Sequence, residues 1–492
     1  MTFMLGSSRL GVACAVAVVL CLSPFSAEAV EPLTLTIEEA VDRAVRLGET
    51  AALAREGVAA AEVQAVQARA GTLPQLDASL IYERTLASVF DVDLPPADLP
   101  DPEQEPPPEA PALDLQTLLG DLPFGRTNTW ILSLQAGQVL YAGGRLAAAR
   151  EAADGGVRAG RLAVEETDAA IARDVGEAYF GAVLAAAVVE ISEEALRLAE
   201  AHLDRVVSLR EQGTASDFEV LQARVERDNL EPEVVEAENA RQVAHLSLRR
   251  LIRAPAGRPL VLATGLTARM VDVDLRTVLE AARDRPSVQA AREQVAVQEA
   301  LVRAARGERL PTVSAFGNFS YQSFPDRVLP EGLPGGDEWR EDFGVGVRLS
   351  VPIFEGGALR AGIDAARVSS RRAVLESRLL LQGVELEVAA AFASYEAARA
   401  RIEARRGTVE QAERALELGE LRFETGMATF LEVSSARLAL RRARLNEAQA
   451  LHDYLTALAA IEHATGGRLP LLRDAIAEAP SKPVPRVPEE TP

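Results

Sequence analysis

The sequence predicts a mainly helical protein with a small β part, arranged as two repeats of helix, strand, strand, long helix and return helix. Three observations predict it. A glycine-centred tip occurs twice, as LREQGTASDFEVLQAR from Leu209 and LRFETGMATFLEVSSAR from Leu421. Each tip follows a long helical pattern that itself follows two segments of alternating apolar and polar residues. Aromatics make up only 4% of the 492 residues, so alanine and leucine carry an apolar share that favours helix over sheet. The same poverty of aromatics argues against a globular core built round a ligand pocket.

Residues 1–29 read as a secretory signal. Arg9 is the positive region, Leu10 to Leu22 the apolar stretch, and Ala27-Glu28-Ala29 the small-x-small cleavage site. Leu20 before Cys21 and Gly11 before Cys14 fit a lipidation box poorly. Both cysteines lie in this leader, so the mature chain needs no disulfide. The net charge of −21 argues against a nucleic-acid partner. No later stretch has 18 uncharged apolar residues, so a membrane would have to be crossed by strands.

The first repeat spans 30–256. Thr34 to Ala70 reads as one helix opened by a Thr36/Glu39 capping box and closed by Gly71 and Pro74. Strands are expected at about 75–87, with Leu76, Ala78, Leu80 and Tyr82 on one face, and at 128–141, with Trp130, Leu132, Leu134 and Ala136 on one face. Between them, residues 91–111 are acidic and proline-rich and read as a long loop at the mouth of a barrel, with a disordered linker as the alternative. Gly143 and Gly144 form a tight strand-to-helix turn; they lack the spacing and lysine of a phosphate loop. The helix from Arg145 to Gln212 would be roughly 100 Å long. The chain returns from Ser216 to about Arg253.

The second repeat spans 257–467, with strands at about 311–324 and 342–354. Val313, Ala315, Phe319 and Tyr321 mark one; Phe343, Val345, Val347, Leu349 and Val351 mark the other. Gly356 and Gly357 repeat the earlier turn, and a long helix, the Gly426 tip and the return helix are expected to follow. The seam of the long helix is Val409, Ala412, Leu416, Gly419 and Phe423. Residues 468–492 read as a polar tail. The turns and tips of the two copies are 213 residues apart, whereas Pro74 and Pro311 are 237 apart. The difference of 24 is the size of the extra loop.

Four amphipathic strands per chain suit a transmembrane barrel but cannot close one, since roughly eight is the minimum. Several chains must therefore contribute. The helices, too polar and too long to span a membrane, would project into water, and a barrel continued by helices is a conduit. Trp130, Tyr82, Trp339 and Tyr321 are candidates for interfacial belts, and Arg348 for a lumen-facing charge. The four histidines are scattered, without carboxylate or cysteine partners at ligand spacing, and read as surface or seam residues; no metal or cofactor site and no catalytic set is expected.

The order of elements resembles the TolC-type outer-membrane efflux proteins. The resemblance covers about residues 33–467 and rests on Leu73-Pro74, Leu310-Pro311, YAGG, VPIFEGG, LRFETGMATFLEV and NEAQALHDYLTALAAIEHATG. It implies a homotrimer with a 12-stranded outer-membrane barrel continued by a periplasmic α-helical tunnel. It also implies a periplasmic adaptor and an inner-membrane transporter as partners, and no enzymatic activity. In that family, acidic residues after the second tip narrow the tunnel entrance. They correspond here to Glu432 and Ser435, one acidic position kept and one lost, with Glu219 and nearby Asp217 in the first copy. A cation-favouring carboxylate gate is the functional reading; the acidic member of a capping box is the structural one. Gly213, Thr214, Ala215 and Ser216, with Gly426, Met427, Ala428 and Thr429, would meet the adaptor. Two departures stand out: Gln138-Val139 replaces the proline that precedes the turn at Pro352, and Arg210 stands where the second copy has Phe423. An exit duct for small toxic compounds is expected; a duct for secreted polypeptides and a channel-less secreted coiled-coil scaffold are the alternatives.

Overall fold

The structure, a computed structural model, describes residues 32–87, 127–255, 257–334, 336 and 338–476. The leader 1–29, the acidic stretch 91–111 and the chain beyond 476 lie outside the described residues. The elements are β1 (Leu33–Leu35), α1 (Ile37–Leu47), α2 (Glu49–Ala70), β2 (Gln75–Arg84), β3 (Asn128–Ala142), α3 (Arg145–Glu211), α4 (Asp217–Leu251) and β4 (Leu260–Leu262). There follow α5 (Leu275–Ala282), α6 (Pro286–Gly307), β5 (Thr312–Ser323), β6 (Trp339–Ser350), α7 (Ala358–Arg405), α8 (Thr408–Glu424), α9 (Phe430–Ala464) and α10 (Leu471–Ile476).

The four long strands form one antiparallel sheet in the order β2-β3-β5-β6. Residues directly opposite one another in such a sheet share a face. The register pairs Leu80 with Leu132, Leu132 with Tyr321, and Tyr321 with Glu341; one row along, it pairs Ala78, Leu134, Phe319 and Phe343. All four alternating patterns therefore present their apolar sides to the same face. That face is bare in the single chain: Leu76 is 67% exposed, Val345 74% and Leu349 66%. The other face carries Asp77, Ser79, Ser133, Gln135, Asn318, Asp342 and Arg348. Arg348 lies over the Phe316 ring, 5.3 Å from its centre, and Phe316 in turn occupies the space that a side chain at Gly346 would need. At the end away from the helices, Tyr82, Trp130, Ser323 and Trp339 form one row across the sheet. The Tyr82 and Trp130 rings stand 4.8 Å apart.

Each strand continues into a helix, and the helices keep the strand order: α2 packs on α3, α3 on α6, and α6 on α7. The two repeats meet where the β3–α3 turn touches the α6–β5 turn. Gly143 has φ +60°, and a Cβ there would lie 2.5 Å from the Gly307 carbonyl oxygen and 2.6 Å from Leu310 Cβ. The matching Gly356 has the same φ but open space around it.

A belt around the middle of α3 holds the core. Val175, Tyr179 and Phe180 of α3 pack with Val384, Val388 and Tyr395 of α7 and with Tyr454, Leu455 and Leu458 of α9. Tyrosine hydroxyls tie the extended 263–273 segment to it. Tyr179 accepts from the Thr264 N–H at 2.8 Å and donates to the Leu35 carbonyl; Tyr395 donates to the Val271 carbonyl at 2.5 Å.

Several expectations are corrected. The helix expected over Thr34–Ala70 is two helices after a short strand. Gly48 breaks it, because a Cβ there would lie 2.3 Å from the Ala44 carbonyl oxygen, and β1 pairs in parallel with β4, a partner more than two hundred residues away. The second long helix is broken at Gly407, φ +77°, a conformation that L side chains rarely adopt. The tail expected from 468 begins with α10, whose Leu471, Leu472 and Ala475 are buried. The long helices are not all too polar for a membrane: α3 contains a stretch long and apolar enough to cross one, a third of it buried within the chain. The middle of α3 uses its apolar residues in the core instead. Alanine at Gly356 should cost about 1–2 kcal/mol for its left-handed backbone alone. In the unassembled chain alanine at Gly143 should cost distinctly more, because the two turns must also move apart, and thermal unfolding of the two variants as monomers tests this ordering.

Candidate functional site

The two hairpin tips are built alike, atom for atom along the backbone. At the first, the Thr214 and Ala215 N–H groups both donate to the Leu209 carbonyl, at 2.9 and 3.3 Å; at the second, those of Met427 and Ala428 donate to the Arg422 carbonyl, at 2.7 and 3.1 Å. Gly213 and Gly426 have φ +77° and +72°, which closes each helix end. Ser216 and Thr429 then restart α4 and α9 as N-caps with complete capping boxes. Glu219 Oε2 accepts from the Ser216 N–H at 2.7 Å and its hydroxyl at 2.9 Å; Glu432 Oε2 accepts from the Thr429 N–H at 2.6 Å and its hydroxyl at 3.2 Å. The backbone hydrogen bond from Thr429 holds the Glu432 carboxyl below its ordinary value, so it stays ionised. Both tip glutamates are thus capping groups, and Glu432 is an exposed, fixed anion as well.

The other two candidates differ. Asp217 forms an ion pair with Arg210 at 2.7 Å, which accounts for an arginine where the second copy has Phe423. Ser435 donates to the Glu432 carbonyl at 2.8 Å and brings no charge. Apolar side chains surround the tips at matching places: Phe218 is 66% exposed, its counterpart Leu431 75%, and Met427 65%.

Behind the tips the hairpins are locked together. Phe423 and Phe430 hold His202 of α3 between them, at 5.4 and 5.2 Å. Arg205 pairs with Glu424 at 2.8 Å, and Arg441 with Glu233 at 2.5 Å. Leu416, Val433 and Leu440, with Val409, Ala412 and Phe423, form the seam. Arg437 is buried beside His202 and reaches Glu420 at 3.2 Å. Burial, then Arg437 and Arg205, push the His202 pKa down to about 3, so it is neutral.

The sequence model of the family described as outer membrane efflux protein matches residues 50–252 and 278–467. This chain belongs to the outer membrane efflux protein family. Among solved structures, the outer membrane channel CmeC of Campylobacter jejuni is similar with a TM-score of 0.71 and 18% identity, over 88% of this chain and 85% of that one. The outer membrane protein VceC of Vibrio cholerae has a TM-score of 0.69 and 20% identity, over 88% and 96%. The open state of the MtrE outer membrane channel of Neisseria gonorrhoeae has a TM-score of 0.69 and 19% identity, over 88% and 89%. These likenesses show the fold. Protein CyaE of Bordetella pertussis is 28% identical over 232 residues, 46% of this chain and 47% of that protein. The match thus spans about half the length of that relative.

Sequence reasoning missed the buried polar groups of this efflux-family chain. His463, read as a surface or seam residue without a carboxylate partner, is buried and bonded through Nδ1 to Glu387 at 2.9 Å and through Nε2 to Arg285 at 3.2 Å. Arg285, 6% exposed at its side chain, also pairs with Glu166 and Glu387, joining α3, α6, α7 and α9. No local spacing signals this, because the four residues come from four distant segments. Glu462 accepts from the Leu472 N–H at 2.8 Å and so anchors α10. Burial is the main cause that pushes its pKa up to about 7.

Replacing Thr429 with alanine removes the cap and should loosen the second tip by about 1 kcal/mol, measured as faster amide exchange over the first turn of α9. Glu462 gives a pH dependence of definite sign. Between its ordinary value near 4.5 and about 7 the folded chain holds a proton that the unfolded chain has lost. Stability should therefore fall as pH rises through that window, and Glu462→Gln should flatten that part of the thermal-midpoint profile.

Proposed function

We propose that three copies of this chain form an outer-membrane exit duct: a 12-stranded barrel continued by a periplasmic helical tunnel. It would serve a tripartite efflux system as a passive conduit for small toxic compounds, without chemistry of its own. The observation that carries this reading is a sheet whose bare side is mostly apolar and whose two outer strands, β2 and β6, each have one neighbour among the described residues. Such edges and such a face are costly in water. Pairing β6 of one copy with β2 of the next gives every strand two neighbours and turns the apolar face to lipid.

The repeat supports the same joint. Within the chain, the first repeat meets the second through β3 with β5 and α3 with α6. The equivalent contact from the second repeat back to the first is β6 with β2 and α7 with α2, which only a neighbouring copy supplies. Gly356 then has its counterpart of Leu310 in Leu73 of the next copy, which fills the open space beside it. Leu73 is 59% exposed in the single chain.

At the far end, Glu219 and Glu432 from three copies form a ring of six fixed carboxylates at the tunnel entrance. The glycine turns and the exposed Phe218, Met427 and Leu431 form the surface for a periplasmic adaptor, which links the duct to an inner-membrane transporter.

Planar-bilayer recording of the purified protein tests the duct. The expected result is a small cation-selective conductance. Glu219→Gln with Glu432→Gln should lower the selectivity and raise the conductance. Arg210→Ala, which frees Asp217, should raise the cation preference. A chain that stays a water-soluble elongated particle and never conducts would overturn the duct and leave the scaffold.

A further inference from the structure

Where α10 folds back, α1, α3, α9 and α10 line a half-open cavity of about 400 Å³. That is within the usual range for small-ligand sites. Ile37, Val41 and Val45 of α1, Ala169 and Ala172 of α3 and Leu472 of α10 give it an apolar wall. Glu462 of α9 enters this wall. Its carboxyl group has one hydrogen bond among the described residues, from the Leu472 N–H to Oε1, and no ion pair with it is found among them.

The other charges facing the cavity do not answer it. Arg173 of α3 is bonded to Asp174 at 2.7 Å and lies 3.4 Å from His463 Nδ1. His463 is itself held by Glu387 and Arg285. Asp42 of α1 is paired with Arg46. Glu38 of α1 adds a further carboxylate, Arg473 of α10 is exposed, and Asp474 of α10 repels a charge on Glu462. A cavity with an apolar wall, in which Glu462 and Glu38 have no ion pair among the described residues, is complementary to a cation with an apolar body. A cation there supplies the Coulomb partner that the protein withholds, and its apolar part covers the wall.

We propose that this cavity is a binding site for a small amphiphilic ammonium ion, with Glu462 as its counter-ion and the walls of α1 and α3 receiving its apolar part. The ligand bridges α9, α10 and α1, so it clamps the C-terminal helix onto the belt. Binding requires the ionised form of Glu462, which at neutral pH is only partly populated because burial raises its pKa to about 7. Occupancy is therefore linked to pH. The site is formed by one chain and does not depend on the duct.

The test is calorimetric titration of the full-length protein in detergent with 2-phenylethylammonium, and with 2-phenylethanol as the neutral isostere. Ionisation near pH 7 predicts binding about tenfold tighter at pH 8 than at pH 6. Glu462→Gln should abolish ammonium binding, and Ala172→Leu, which fills the cavity and leaves the carboxylate in place, should abolish it too. Ammonium binding that persists in Glu462→Gln with its pH dependence intact would overturn the proposal. So would phenylethanol binding as tightly as the ammonium, no ammonium binding at millimolar concentration, or unchanged binding to a folded Ala172→Leu protein.

Discussion

The structure depends on one join, the antiparallel pairing of β3 with β5 together with the contact of Gly143 and Gly307 below it. Twelve register pairs run along the two strands, and the two glycines let the turns approach closely enough for α3 and α6 to continue the same adjacency. Because strand order and helix order coincide, a single rule sets both the sheet and the helical layer. The bulge between Val139 and Tyr141 falls where strand gives way to helix, as expected where the pairing direction has to bend.

In the single chain the same join leaves β2 and β6 at the edges of the sheet, with a largely apolar face that water does not favour. The tips, by contrast, need no partner to form. Glycine, an N-cap and a glutamate three residues on satisfy the helix ends locally, so the same glutamates remain available as fixed charges. Arg210 removes Asp217 from that set, which makes the two tips electrostatically unequal although their backbones match.

The belt concentrates the polar interior. A buried arginine with two carboxylates and a histidine joins four helices, and removal of one member would leave uncompensated charge, which is costly. Glu462 sits in the same region without such a partner, and burial without compensation is what raises its pKa. The contrast between these neighbouring carboxylates, Glu387 held down to about 2 chiefly by the His463 hydrogen bond and Glu462 pushed up, comes from pairing.

By itself the sequence determined what has a period or a local chemistry. The alternation of 76–82, 130–136, 313–321 and 343–349 set the strands and their apolar sides; Gly213, Gly426 and the Ser216/Glu219 and Thr429/Glu432 boxes set the tips; the 213-residue offset set the repeat. These signals are local because hydrogen bonding and side-chain direction repeat within a few residues. Only the tertiary structure decided what rests on distant contacts. It placed all four apolar strand sides on one face, paired β1 with β4, broke the helices at Gly48 and Gly407, and folded α10 back onto the belt. It also brought Glu166, Arg285, Glu387 and His463 together and left Glu462 in a cavity without an ion pair among the described residues. Each of these depends on which segments lie side by side, and no spacing along the chain records that.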